Sequence, residues 1–115
     1  MFKIDGQEIF LTRGDSATIS FDIKDGETTY DLNTGDKVYF RMALKAGKSP
    51  VALTKECEID VEHGKAILSL APDDTANLQF KIYRYEVELV TTEDAHYTFI
   101  ADQSFAVGTE IELHD

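Results

Sequence analysis

The sequence predicts an all-β protein: an antiparallel two-sheet sandwich, with residues 1–115 forming a single domain. Three observations predict it. Apolar and polar residues alternate with a period of two in run after run, as in strands with one buried and one wetted face. Turn-forming residues fall between those runs at short intervals. The spacing yields about seven short strands, a number that suits two stacked sheets.

Taken in order, a weak strand is expected at Ile9 to Thr12. Ala17, Ile19, Phe21 and Ile23 then alternate with Thr18, Ser20 and Asp22. Val38, Phe40, Met42 and Leu44 alternate with Lys37, Tyr39 and Arg41, and Cys57, Ile59 and Val61 with Glu56, Glu58 and Asp60. The short run Ala66 to Leu70 is apolar on both faces at Ile67. Tyr83, Tyr85, Val87 and Leu89 alternate with Arg84, Glu86 and Glu88. From Tyr97 to Val107 the pattern continues but is broken at Ile100 and Gln103, and a weak terminal strand is expected at Glu110 to Leu113. The core expected from these phases is Ile19, Phe21, Ile23, Val38, Phe40, Met42, Ile59, Leu68, Tyr85, Val87, Phe99 and Phe105. Asp25-Gly26, Thr34-Gly35-Asp36, Lys45-Ala46-Gly47, His63-Gly64 and Thr92-Glu93-Asp94 punctuate the runs.

One segment departs from the pattern. Ala71-Pro72-Asp73-Asp74-Thr75-Ala76-Asn77-Leu78 predicts a single helical turn near residues 72–78. Proline suits a helix start, and the acidic pair suits its positive end. Such a turn would carry the chain from the Leu68/Leu70 strand to the Tyr83/Tyr85 strand. Immunoglobulin-like sandwiches often cross between sheets this way and tie the corner with a tyrosine just after it. Tyr83 and Tyr85 stand at that place. The cysteine pair and buried tryptophan of antibody domains are absent, since the chain has one Cys and no Trp.

Composition excludes several functions. The net charge is −11, from 22 acidic against 11 basic residues, which argues against nucleic-acid binding and against an anionic membrane surface. No stretch approaches the ~20 apolar residues of a membrane helix. The opening Met1-Phe2-Lys3-Ile4-Asp5-Gly6 lacks a basic segment followed by an apolar run, so synthesis and folding in a cytoplasm are expected. Cys57, the single cysteine, cannot form an internal disulfide.

Candidate sites are few. Arg13-Gly14-Asp15 spells an integrin-ligand tripeptide, but it precedes a strand, as does Gly35-Asp36, and a turn accounts for both. Glu86 and Glu88 share a strand face, where a solvated outer surface is the better account than acid–base catalysis. His63, His96 and His114 lack metal-ligand spacing. Asp73-Asp74 lies in no calcium loop. Cys57 falls on the apolar side of its strand, as an inert thiol would. No enzyme motif is present, and no catalytic residue, metal or cofactor is expected. Tyr30 and Tyr39 are the candidate interaction residues, Tyr39 because it points opposite to Val38 and Phe40. Exposed aromatics of this kind would serve a carbohydrate-binding sandwich that recognises a cell-surface glycan, which is the alternative to a module working by protein–protein contact. For the latter, exposed strand edges are the natural assembly surface.

Three segments carry a resemblance through most of the chain: Ile9-Phe10-Leu11-Thr12-Arg13-Gly14-Asp15-Ser16-Ala17, then Gly35-Asp36-Lys37-Val38-Tyr39-Phe40-Arg41, then Tyr83-Arg84-Tyr85-Glu86-Val87-Glu88-Leu89-Val90. In that order they resemble small prophage-encoded structural proteins, and the N-terminal immunoglobulin-like domain of baseplate upper proteins from phages of Gram-positive bacteria. The resemblance implies a tail- or baseplate-associated structural role in the virion. It implies assembly with other phage structural proteins or with copies of itself, and no reaction or cofactor. It carries over no binding residue.

Overall fold

Period-two alternation becomes alternating burial. In one strand Ala17, Ile19 and Phe21 are buried while Thr18, Ser20 and Asp22 are exposed. The computed structural model describes residues 2–5, 8–25, 28–29, 32–44 and 51–108, with backbone alone at 2–5, 24–25, 28–29, 99 and 101–102. Its strands are β1 (Phe2–Asp5), β2 (Glu8–Thr12), β3 (Ala17–Asp22), β4 (Lys24–Asp25), β5 (Thr28–Thr29), β6 (Lys37–Ala43), β7 (Val51–Asp60), β8 (Lys65–Leu70), β9 (Lys81–Val90) and β10 (His96–Gly108). The helix α1 (Pro72–Thr75) lies between β8 and β9, where the proline and the acidic pair place it. Among the described residues the protein is all-β apart from that turn. The turns expected at Asp25-Gly26 and Lys45-Ala46-Gly47 and the strand expected at Glu110 to Leu113 lie wholly or partly outside the described residues.

Eight strands form one ladder in the order β1-β2-β10-β9-β6-β7-β8-β3, and β4 and β5 form a separate hairpin. One expectation is corrected, that every pair is antiparallel: β2 runs parallel to β10, with Ile9 opposite Phe105 and Leu11 opposite Val107. Parallel neighbours need a long crossover, and here nearly the whole chain between β2 and β10 supplies it. β7 pairs with β6 from Val51 to Cys57 and with β8 from Glu58 to Asp60. This one long strand therefore passes from one part of the ladder into the other and joins them.

The ladder is strongly curled. Phe21 sits on β3, four strands along the ladder from Tyr85 on β9. In a flat sheet four strand spacings would separate them by ~19 Å, yet their ring centroids are 6.3 Å apart. The end of the ladder has folded over its middle. The curl does not close, because β1 and β3 are not paired with each other.

Between the facing parts lies an aromatic centre. The Phe40 ring is 5.4 Å from Tyr85 and 5.8 Å from Phe105, and Tyr85 meets Phe105 edge-on at 6.3 Å. Ile9, Leu11, Ile19, Leu68, Val87 and Val107 surround it. Of the expected core, Ile59 is half-buried against the cluster, and the side chain of Phe99 lies outside the described residues. Ile100 is buried, and the β10–β9 register shifts on either side of it. A bulge inserts a residue and resets the phase, which is why the alternation breaks at Ile100 and Gln103. Val61, expected in phase with Ile59, is exposed in the turn after β7.

Polar anchors fix the corners. The Tyr83 hydroxyl donates to the Gln79 carbonyl at 3.2 Å, tying the crossing that follows α1. Asp74 accepts from the Ala71 backbone N–H at 2.7 Å and pairs with Lys55 at 3.1 Å. Lys55 is in phase with buried Cys57 and lies opposite Phe40. Its stem follows the apolar interior while its ammonium reaches out to α1. The Gly14 N–H donates to the buried Thr75 hydroxyl at 2.9 Å, which holds the β2–β3 turn against the helix.

Candidate interaction surface

The wetted face of β2, β10, β9 and β6 changes character along β9. At one end is an apolar row. Ala106 is the register partner of both Phe10 and Ile82, so the three side chains stand side by side across β2, β10 and β9. Phe10 and Ala106 are half-buried, while Ile82 is 65% exposed, and Phe80, just before β9, is also exposed. Water gains nothing from such a row, and covering it would be favourable. Cations border it. The Arg13 guanidinium lies 3.9 Å from the Phe80 ring centroid and donates to the Leu78 carbonyl at 3.2 Å. Arg84, one row further along, donates to Ser104 at 2.9 Å. Two cations thus border the apolar row of a chain with net charge −11.

Further along β9 the face turns acidic. Glu86 and Glu88 both stand on it, alternating with buried Tyr85, Val87 and Leu89 as their spacing requires. Glu88 meets Arg41 at 3.3 Å and the His96 Nδ1 at 3.4 Å, and the His96 Nε2 meets Asp94 at 3.3 Å. Tyr39 is half-buried on this part of the face, with the Arg41 guanidinium 5.4 Å from its ring centroid. A sugar stacking there would share the ring with Arg41. Tyr30 lies outside the described residues. Partly exposed ion pairs of this kind contribute little to stability.

The remaining candidates take structural places. Arg13-Gly14-Asp15 is a turn with Gly14 at φ 85° and Arg13 committed to Phe80 and Leu78. His63 bonds the Asp60 carboxylate at 2.8 Å in the β7–β8 turn, and that bond holds the Asp60 carboxyl below the usual carboxylate range. His114 lies outside the described residues. Among the described residues no group of three or more His, Cys, Asp or Glu side chains is placed to hold a metal ion. An open depression of about 420 Å³ is lined by Asp36, Glu56, Cys57, Glu58 and Ile59. Burial, with Glu56 beside it, pushes the Cys57 thiol up to about 11, so it stays protonated at neutral pH.

Asp36 was not singled out by the sequence. It is only 6% exposed, and its carboxylate accepts from the Asn33 N–H at 2.8 Å and from the Thr92 N–H at 3.2 Å. It clamps the turn before β6 to the turn after β9. Gly35, at φ 96°, allows the close approach, since a Cβ there would meet the Thr92 methyl at 2.9 Å.

Burial also pushes the Tyr85 phenol up to about 12. Cys57 and Tyr85 both keep their protons in the folded chain at pH values where an unfolded chain has begun to lose them. The unfolded state then binds fewer protons, so stability falls as pH rises from about 9 to 12. After allowance for solvent near both groups, the expected loss is roughly 2 kcal/mol. Urea midpoints at either end of that range check it, and Cys57→Ala is expected to flatten the slope. A midpoint constant with pH would contradict the burial of both groups.

No protein-family model matches the chain, and no curated protein matches it.

Proposed function

We propose that the chain is a non-enzymatic, immunoglobulin-like β-sandwich module of a phage tail or baseplate, made in a bacterial cytoplasm and carried in the virion, that works by protein–protein contact. The observation that carries the contact is the apolar row Phe10–Ala106–Ile82, exposed at Ile82 and half-buried at the other two, with exposed Phe80 beside it and Arg13 and Arg84 at its border. Apolar surface rimmed by cations in an acidic chain suits an acidic, partly apolar protein surface.

The immunoglobulin-like part draws support from connectivity. β3 and β8 pair as one layer, β10, β9 and β6 pair as the other, α1 lies at the crossing from β8 to β9, and Tyr83 ties that corner to Gln79. The phage part draws support from the three resembling segments. The glycan-binding alternative has less behind it, since Tyr39 is half-buried beside Arg41.

The test is incorporation. Phage particles are induced from the host strain, purified on a density gradient and searched for the chain by mass spectrometry, with wild type and Ile82→Asp compared. The chain is expected in particles or tail intermediates, with Ile82→Asp lost from them while the purified variant keeps its denaturation midpoint. Absence of the wild-type chain from every particle fraction overturns the tail role. Equal incorporation of Ile82→Asp overturns the apolar row as the contact.

A further inference from the structure

We propose that the outer edge of β3 pairs with the β3 of a second copy, so that a two-fold dimer continues the ladder from one chain into the next. The inference rests on the reading of the chain as a module that works by protein contact, and it names one partner and one register.

β3 ends the ladder, and among the described residues nothing pairs with its far side. About half of the backbone N–H and C=O groups of such a strand point away from its neighbour and need partners. Natural edges are commonly blunted by a lysine, a proline or a bulge. Ala17-Thr18-Ile19-Ser20-Phe21 contains neither residue, and its register with β8 runs unbroken from Ala17 to Asp22. The outward side chains Thr18 and Ser20 are small and exposed.

A second copy fits this edge. Antiparallel neighbours must keep buried residues opposite buried ones. A two-fold axis at Ile19 does so: Ile19 faces Ile19, Ala17 faces Phe21, Thr18 faces Ser20 and Ser16 faces Asp22. Small side chains meet large ones on the inner face, hydroxyls meet on the outer face, and no like charges stand opposite. Asp22, the one charge in the strand, is engaged by Lys65 at 2.6 Å. The pairing is carried by backbone bonds between two chains of net charge −11, since Ala17, Ile19 and Phe21 are already covered within each chain. Added salt should therefore tighten it by screening the repulsion between copies.

Sedimentation velocity on the full chain tests this. Wild type is expected to dimerise by ~100 µM, more strongly at ~0.5 M salt than at ~0.05 M. Thr18→Lys with Ser20→Lys puts like charges opposite at this register and is expected to weaken the dimer by about tenfold or more. Thr18→Glu with Ser20→Glu should do the same, and mixing the two variants should restore a dimer. Thr18→Lys with Ser20→Glu in one chain should dimerise at least as well as wild type. Both positions are exposed, so the denaturation midpoint of the monomer should not move. A wild type monomeric at ~1 mM overturns the proposal. So does a dimer indifferent to the paired lysines, and so does a mixture that stays monomeric. Loss of the dimer with particle incorporation intact would count against this edge alone. A dimer formed by a chain absent from particles would count against the tail role alone.

Discussion

Phe40→Ala is expected to lower the free energy of unfolding by about 3–5 kcal/mol, the loss typical of a buried aromatic truncated in a close-packed core. Phe40 is fully buried and in ring contact with both Tyr85 and Phe105. Its strand, β6, pairs with β9 on one side and β7 on the other. Neighbours held by two ladders cannot collapse into the space left behind, so a cavity term adds to the lost transfer energy. Urea denaturation monitored by far-UV circular dichroism measures the change. A shift below about 1 kcal/mol would mean that Phe40 is not central to the core.

Asp36→Ala is expected to cost about 2–4 kcal/mol, although it removes no apolar contact of consequence. The carboxylate is the acceptor for the Asn33 and Thr92 backbone N–H groups. Without it, two part-buried donors must go unpaired or the two turns must part to admit water. Asp36→Asn keeps one amide oxygen as an acceptor and should cost less. Hydrogen exchange distinguishes this local opening from global destabilisation: the Asn33 and Thr92 amides should exchange faster by a larger factor than amides at the centre of β9. Unchanged exchange at both would show that the clamp is not formed in solution.

The individual strands were legible in the sequence because period-two alternation is a local signal. β3, β6 and β9 bury the residues their alternation assigns to the inner face. The helical turn was legible from Pro72, Asp73 and Asp74 for the same reason. What lay beyond reach depends on residues distant in the chain. The parallel pairing of β2 with β10 joins the first third of the sequence to its last, and nothing within Ile9 to Thr12 announces that Ile9 and Leu11 will be buried by it. The passage of β7 from β6 to β8 depends on the neighbours it finds on each side. Lys55 reads as an interruption of an apolar phase until Asp74 is seen beside it.

The candidate interaction surface was legible only in part. Tyr39 was marked by its phase, but the apolar row was not, because Phe10, Ala106 and Ile82 come from three separate strands and meet only through register. Asp36 read as an ordinary turn residue next to Gly35. A carboxylate placed to receive its own turn's N–H, as Asn33 and Asp36 arrange, was the one available signal of its role.

The most direct test of the curled ladder is a nuclear Overhauser measurement between the ring protons of Phe21 and Tyr85. Ring centroids 6.3 Å apart bring edge protons close enough for a cross-peak, which is the result expected. Well-resolved spectra with no cross-peak between these rings, while Phe40 and Tyr85 show one, would place β3 ~19 Å away in an open sheet and contradict the fold on which the surface and the edge both depend.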